Sequence, residues 1–210
     1  MLGLDRRELV RLKNLDTPAK VQEYLDSIPF NTEVGGETCM SPMRVLRERK
    51  AHCVEGAMLA CAAFLIAGRK PLVLNLKVLK SDDDHVIALF KENGYWGAVS
   101  KTNHAVLRYR DPIYKSVREL AMSYFHEYFL IADGKKTMLG YSRPINMNRF
   151  GTRWIAEKHD LWNIAEYVYD SSYFAVVPEK NRKFLRKATP LERKAASIPA
   201  SNSQGKVVNS

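Results

Sequence analysis

The spacing of apolar residues in the first 50 positions predicts three short helices. Asp5 begins the first, because it forms a capping box with Glu8. Thr17 and Ser41 each precede a proline, an arrangement typical of a helix start. In the second helix the apolar residues recur three and four positions apart: Val21, Tyr24, Leu25 and Ile28. Each helix therefore presents one apolar face to a core, and residues 30–40 between the second and third are expected to form a loop.

A fourth helix, over about 53–67, is predicted to be buried on every side. The run from Ala57 to Ala67 is apolar throughout, and a helix that is apolar all round has no face suited to water. The run is too short to cross a bilayer, which takes about 20 residues. Gly68 is placed where the left-handed residue that ends a helix is expected.

Beyond Gly68 the pattern changes to that of β-strands. Three segments are rich in β-branched, aromatic or alternating apolar residues: PLVLNLKVL, HVIALFKE and YWGAVS. Asn93-Gly94, between the last two, is typical of a two-residue hairpin turn. The sequence therefore predicts an antiparallel meander of three strands directly after the buried helix.

The rest of the chain predicts two further helices and a hairpin. Ser116 and Glu119 form a capping box, residues 129–142 favour a hairpin turning at Asp133-Gly134, and a last helix begins at Asp160. The predicted fold class is α+β: N-terminal helices and a central buried helix packed on a small antiparallel sheet. We expect a single domain over 1–178, with its core in about 17–130, and a basic, largely disordered tail over 179–210.

Charge and cysteine content narrow the class of protein. The net charge is +10, but eight of the lysines and arginines, against two glutamates, lie in 179–210. Nucleic-acid binding is therefore expected only as a non-specific property of the tail. Three cysteines without a CxxC pair do not suggest a disulfide framework, and the N-terminus has no signal-peptide pattern. We expect a cytoplasmic protein without a membrane partner.

Position along the chain separates the three cysteines. Cys53 is predicted at the N-terminus of the buried helix, where the helix dipole and unpaired N–H groups favour a thiolate and are suited to binding an oxyanion. Cys61 lies inside the apolar run and is expected to be inert, while Cys39 lies in the loop without an evident partner. Glu55 either lies near the thiolate or merely interrupts the apolar run in its first turn.

His85 is the candidate base. It begins a predicted strand where an exposed loop enters the sheet, a position that combines rigidity with access. Asp84 next to it points to the opposite face of a strand and is not expected to orient the imidazole. Asp82, Asp83 and Asp84 have no metal-ligand spacing and are interpreted as a solvated turn, so we expect neither a metal nor a cofactor.

Together these features resemble the transglutaminase-like superfamily of papain-like thiol enzymes. The likeness rests on an ordered set of segments: TPAKVQEYLDSIP, AHCVEGAMLACAAFLIAG, DHVIALF and GYWGAVS. It places a helix-start cysteine, a strand-start histidine and a tryptophan hairpin in the family's order over about 17–130. The resemblance implies that Cys53 is the nucleophile and His85 the base of acyl transfer through a thioester, on a protein or peptide substrate.

The third residue of such a triad is left open by the sequence. Many family members carry an aspartate four residues after the hairpin tryptophan, where this chain has Ser100. The predicted turn pairs residues whose numbers sum to 187, so His85 faces Thr102 and Ser100 is its diagonal neighbour. Asn103 would orient His85 only if a bulge shifted the register.

Two other residues are alternatives for the same site. Asp111 precedes a proline, so a turn or helix cap is a simpler interpretation. His104 is a rival base without a motif to support it.

Two functions follow from this site. A thiol enzyme, acting as a cysteine peptidase, amidase or acyltransferase, is favoured by helix-start Cys53 and strand-start His85. A non-catalytic transglutaminase-like scaffold that binds another protein is favoured by the neutral Ser100 in place of a carboxylate, since a hydroxyl does not stabilise imidazolium by charge.

Overall fold

A computed structural model describes residues 2–198. It contains both helices and an antiparallel sheet, so the α+β class is confirmed. The α-helices are α1 (Arg6–Asn14), α2 (Pro18–Ser27), α3 (Pro42–Glu48), α4 (Cys53–Ile66), α5 (Val117–Ser123), α6 (Trp162–Tyr169) and α7 (Pro190–Ala196). The strands are β1 (Leu72–Val78), β2 (His85–Glu92), β3 (Tyr95–Val99), β4 (Arg110–Tyr114), β5 (Met138–Ser142), β6 (Ile145–Asn146) and β7 (Tyr173–Ala175).

The sheet is antiparallel and has the strand order β4-β3-β2-β1-β5-β7, with β6 pairing beside β5 on β1. The meander β1-β2-β3 is present as the sequence predicts. Asn93 and Gly94 both have positive φ at its hairpin turn, and Ala88 pairs with Val99 in the register set by that turn.

The sheet is larger than the predicted meander, and buried apolar residues also lie outside 17–130, among them Leu12 and Ile164. β5 pairs with β1 and β7 instead of forming one arm of a long hairpin, and Phe129 and Lys136 form only an isolated bridge. β4 is an additional edge strand. Its Pro112 lacks a backbone N–H, which an edge position tolerates.

Alternating side chains of the strands build two apolar cores. Val73, Val86 and Ala88 point to the side of α4, together with residues of α1, α2, α3 and α6. Leu74, Ile87 and their neighbours point to the other side, where they pack with α5. The side chains of α4 from Val54 to Phe64 are all buried, as expected for a helix that is apolar on every face.

The C-terminal segment also differs from the prediction. Residues 179–198 are not a disordered tail, because α7 packs on the loop before β5. Ala188 and Ala196 are buried against Phe129, and the Ala188 N–H donates to the Gly134 carbonyl at 2.8 Å. Few apolar residues suffice for this contact, so composition alone did not reveal it. The remainder of the predicted tail, 199–210, lies outside the described residues.

Candidate active site

Cys53 is the first residue of α4, so its sulfur lies at the end of the helix where backbone N–H groups are unpaired. The chain before it is held by a parallel bridge between Phe30 and Ala51. His52 is the N-cap residue, and its backbone N–H donates to the Glu55 carboxylate at 2.9 Å. Cys53 is partly exposed as a residue, whereas Cys39 and Cys61 are buried.

His85, the first residue of β2, is buried beside Cys53, near enough to lower the pKa of its thiol. The His85 Nε2 lies 2.7 Å from the Ser100 hydroxyl oxygen. That hydroxyl donates its own hydrogen to the Leu107 carbonyl, so it accepts a hydrogen bond from the imidazole. Nε2 therefore carries a hydrogen, and Nδ1 is the ring atom left to exchange a proton with the sulfur.

Ser100 follows β3 and is almost completely buried. Its backbone N–H donates to Gln22 Oε1 and its carbonyl accepts from Gln22 Nε2, each at 2.9 Å. Gln22 belongs to α2, so a helix far away in sequence fixes the position of the hydroxyl behind His85. The structure thus brings together three of the four candidate residues: Cys53, His85 and Ser100.

Asn103 is not part of this group. The β2–β3 ladder runs without the bulge that its participation required, and Asn103 is exposed beyond the end of β3. Asp111 is exposed on β4 and is neither a turn nor a helix-cap residue. Burial and, to a smaller extent, the nearby charge of His85 lower the pKa of His104.

The aspartates before β2 have structural partners. Asp84 accepts hydrogen bonds from Asn75 and Val78 and pairs with Lys77 at 2.8 Å, on the face opposite to His85. Asp82 accepts from the Thr137 hydroxyl at 2.6 Å. Within residues 2–198, the acidic, histidine and cysteine side chains form no cluster suited to a metal ion.

Sequence reasoning missed two residues beside the sulfur. His52 and Tyr169, the last residue of α6, both lie near enough to the Cys53 sulfur to interact with it electrostatically. Tyr169 is far from Cys53 in the chain and no local pattern marks it. His52 had a signal, since it stands three positions before Glu55 at a helix start, the spacing of a capping box.

The surroundings favour ionisation of Cys53 alone among the three cysteines. Burial works against a thiolate, but hydrogen bonds and positive charge from His52 and His85 lower the pKa of Cys53 to about 5. Burial and the nearby Glu55 charge raise the pKa of Cys39 to about 12, and burial raises the pKa of Cys61 still further. The predicted contrast between helix-start Cys53 and inert Cys61 therefore has a physical basis.

Comparison with known proteins assigns no family. The chain matches no protein-family model, and it has no match among curated proteins. None of the helices between residues 2 and 198 is both long and apolar enough to cross a membrane.

Proposed function

We propose that this chain is a transglutaminase-like thiol enzyme that acts on an amide or isopeptide bond of a protein or peptide. The observation that carries the proposal is the series Cys53, His85 and Ser100, in which a helix-start thiol lies beside an imidazole that Ser100 holds from behind. A nucleophile that must remain a free thiol favours a reducing compartment such as the cytoplasm.

In the proposed reaction, His85 takes the proton of the Cys53 thiol. The sulfur attacks the substrate carbonyl carbon and forms a C–S bond while the carbonyl oxygen becomes an oxyanion. When the intermediate collapses, the C–N bond breaks and His85 gives its proton to the departing amine. Water or a second amine then loses a proton to His85 and attacks the thioester, and the C–S bond breaks to return the thiolate.

Two kinds of donor near the sulfur suit the oxyanion. The first-turn N–H groups of α4 lack partners within the helix, and Tyr169 lies near the same sulfur. Donors fixed in place before the charge develops stabilise it without reorganisation. Tyr169 therefore supplies a side-chain donor for the oxyanion. The loop before Cys53 contains no glutamine to take this role.

The test is covalent labelling of the full chain by a peptide carrying a vinyl sulfone. Intact mass is expected to show one adduct in wild type and in Cys61→Ala, and none in Cys53→Ala. His85→Ala should slow the adduct strongly, and Ser100→Ala should slow it less, since a neutral hydroxyl contributes orientation without charge. Equal labelling of Cys53→Ala and wild type would exclude Cys53 as the nucleophile.

A non-catalytic, protein-binding scaffold is the second candidate, and one observation favours it. The group behind His85 is the neutral hydroxyl of Ser100, whose hydrogen is already donated to the Leu107 carbonyl. If wild type forms no adduct with any peptide electrophile, and Cys53→Ala captures the same cellular protein as wild type, this second function replaces the first.

A further inference from the structure

Glu55 is a fully buried carboxylate two residues after the candidate nucleophile. One of its oxygens accepts from the Thr38 hydroxyl and the Met40 N–H, each at 2.8 Å. The other accepts from the Asn31 side chain at 3.2 Å and the His52 N–H at 2.9 Å. Two donors on each oxygen leave no place for a carboxyl proton, so this hydrogen-bond pattern fits the ionised form.

A buried negative charge requires a positive partner. Among the described residues, the ion-pair partner of Glu55 is His52, whose Nε2 lies 3.4 Å from the carboxylate. The same Nε2 lies 2.9 Å from the Thr38 carbonyl oxygen, which only accepts, so Nε2 carries a hydrogen. Glu33 adds a second carboxylate at 3.6 Å on the same side of the ring.

The ring of His52 also lies beside the nucleophile. His52 directly precedes Cys53 at the start of α4, and its ring lies near enough to the sulfur for the two groups to affect each other's ionisation. Burial disfavours the imidazolium, but the contacts with Cys53 and Glu55 outweigh it and raise the pKa of His52 to about 9. Two carboxylates and a carbonyl oxygen therefore surround Nε2, an environment that favours the charged ring.

We propose that His52, kept as an imidazolium by the buried Glu55, is a second catalytic cation that holds the Cys53 thiolate independently of His85. The other titratable groups near the sulfur are Tyr128, Tyr169 and Cys39, and burial raises the pKa of each of them. At neutral pH those groups are uncharged. The positive charge at Cys53 therefore comes from the two imidazoles.

The separate roles of His52 and His85 rest on the proposed function. His85 gains and loses a proton in each half of the reaction, whereas His52 keeps its proton throughout because Glu55 and the Thr38 carbonyl hold it. His52 therefore adds a positive charge beside the sulfur in both protonation states of His85. His52 also stabilises the thiolate that leaves when the thioester is cleaved.

The test measures the pH dependence of Cys53 alkylation by iodoacetamide, site by site, in variants of the full chain. In His52→Gln, the midpoint for Cys53 is expected to rise by about 1–3 pH units, the effect of removing a nearby opposite charge. Glutamine retains an N–H donor for the Thr38 carbonyl, so the loop stays supported. In His85→Gln the midpoint is expected to move less, although vinyl sulfone labelling slows strongly.

Matched control variants distinguish the effect of a lost charge on the Cys53 midpoint from the effect of a damaged structure. His159→Gln removes an exposed histidine and should leave the midpoint unchanged. Glu55→Gln removes the buried carboxylate and should raise the midpoint, while Glu33→Gln removes the partly exposed one and should raise it less. Thermal melting identifies a variant that does not fold. If a histidine variant does not fold, the midpoint of Cys53 is measured in the wild type instead. The thiolate is followed by its ultraviolet absorbance, after subtraction of the absorbance of Cys53→Ser.

Several results would overturn the inference. The midpoint could be unchanged in folded His52→Gln, or could rise only in His85→Gln. Either result would show that His85 alone stabilises the Cys53 thiolate. A wild-type midpoint near that of a free thiol would exclude both cations. Alkylation midpoints do not depend on turnover, so a shift in His52→Gln without any vinyl sulfone adduct would support the second cation while refuting the enzyme.

Discussion

Gln22 tests how the fold positions Ser100 behind His85. Its side chain is buried on α2 and makes two hydrogen bonds to the Ser100 backbone, each 2.9 Å long. Gln22→Met keeps nearly the same length and volume but removes the donor and the acceptor. The substitution therefore leaves the Ser100 N–H and carbonyl buried without their side-chain partner.

The expected effect on stability follows from these two groups. A buried backbone group that loses its partner costs about 1–3 kcal/mol. Two such groups give an expected decrease of about 2–4 kcal/mol in the free energy of unfolding, since some relaxation toward water is available. The Ser100 hydroxyl should also shift relative to His85, so vinyl sulfone labelling of Cys53 is expected to slow.

Urea denaturation measures the first effect and the labelling rate measures the second. Glu23→Met, one residue along the same helix and exposed, is the matched control and should change stability by no more than about 0.5 kcal/mol. A Gln22→Met protein as stable as Glu23→Met would show that the two hydrogen bonds do not hold the end of β3. Unchanged labelling in a destabilised Gln22→Met would instead separate stability from the positioning of Ser100.

Two further substitutions test packing that the sequence did not reveal. Ala196→Asp should destabilise the protein by about 1–3 kcal/mol in urea denaturation, because the methyl group of Ala196 is buried where α7 packs. Leu191→Asp, on the exposed side of the same helix, should leave stability nearly unchanged. Equal stability of the two variants would mean that α7 does not dock. Gly56→Ala should lower the free energy of unfolding by about 1–3 kcal/mol, since the added Cβ would lie 2.5 Å from the Lys101 Cβ. Gly35→Ala is the control, because Gly35 has open space around it. A melting temperature unchanged in Gly56→Ala would refute the close approach of α4 to Lys101.

Local rules in the sequence determined most of the elements. Capping residues located the starts of α1, α2, α3 and α5, and the all-apolar run located α4, because these signals depend on neighbours within one helical turn. The hairpin turn at Asn93-Gly94 also fixed the register of β2 and β3. With that register, His85 and Ser100 become diagonal neighbours on one face of the sheet, as their hydrogen bond shows.

Contacts between distant segments were decided only by the tertiary structure. Asp160 was expected to begin the last helix, but α6 starts at Trp162, and Asp160 pairs with Arg44 and accepts the Cys39 N–H. β5 pairs with β1, which lies about 60 residues earlier in the chain. No local pattern in the sequence shows that β5 pairs with this distant strand and not with a neighbouring strand in a hairpin. Burial of a few small side chains likewise docks α7, which the basic composition obscured.

The candidate site divides in the same way. Cys53 and His85 were visible in the sequence because a helix start and a strand start each have a local signature. Gln22 and Tyr169 were not, because they reach the site from α2 and α6 through the packing of the whole domain. His52 lies between the two cases: its neighbour Cys53 is local, but the charge that makes it a cation comes from Glu55, whose burial only the assembled fold creates.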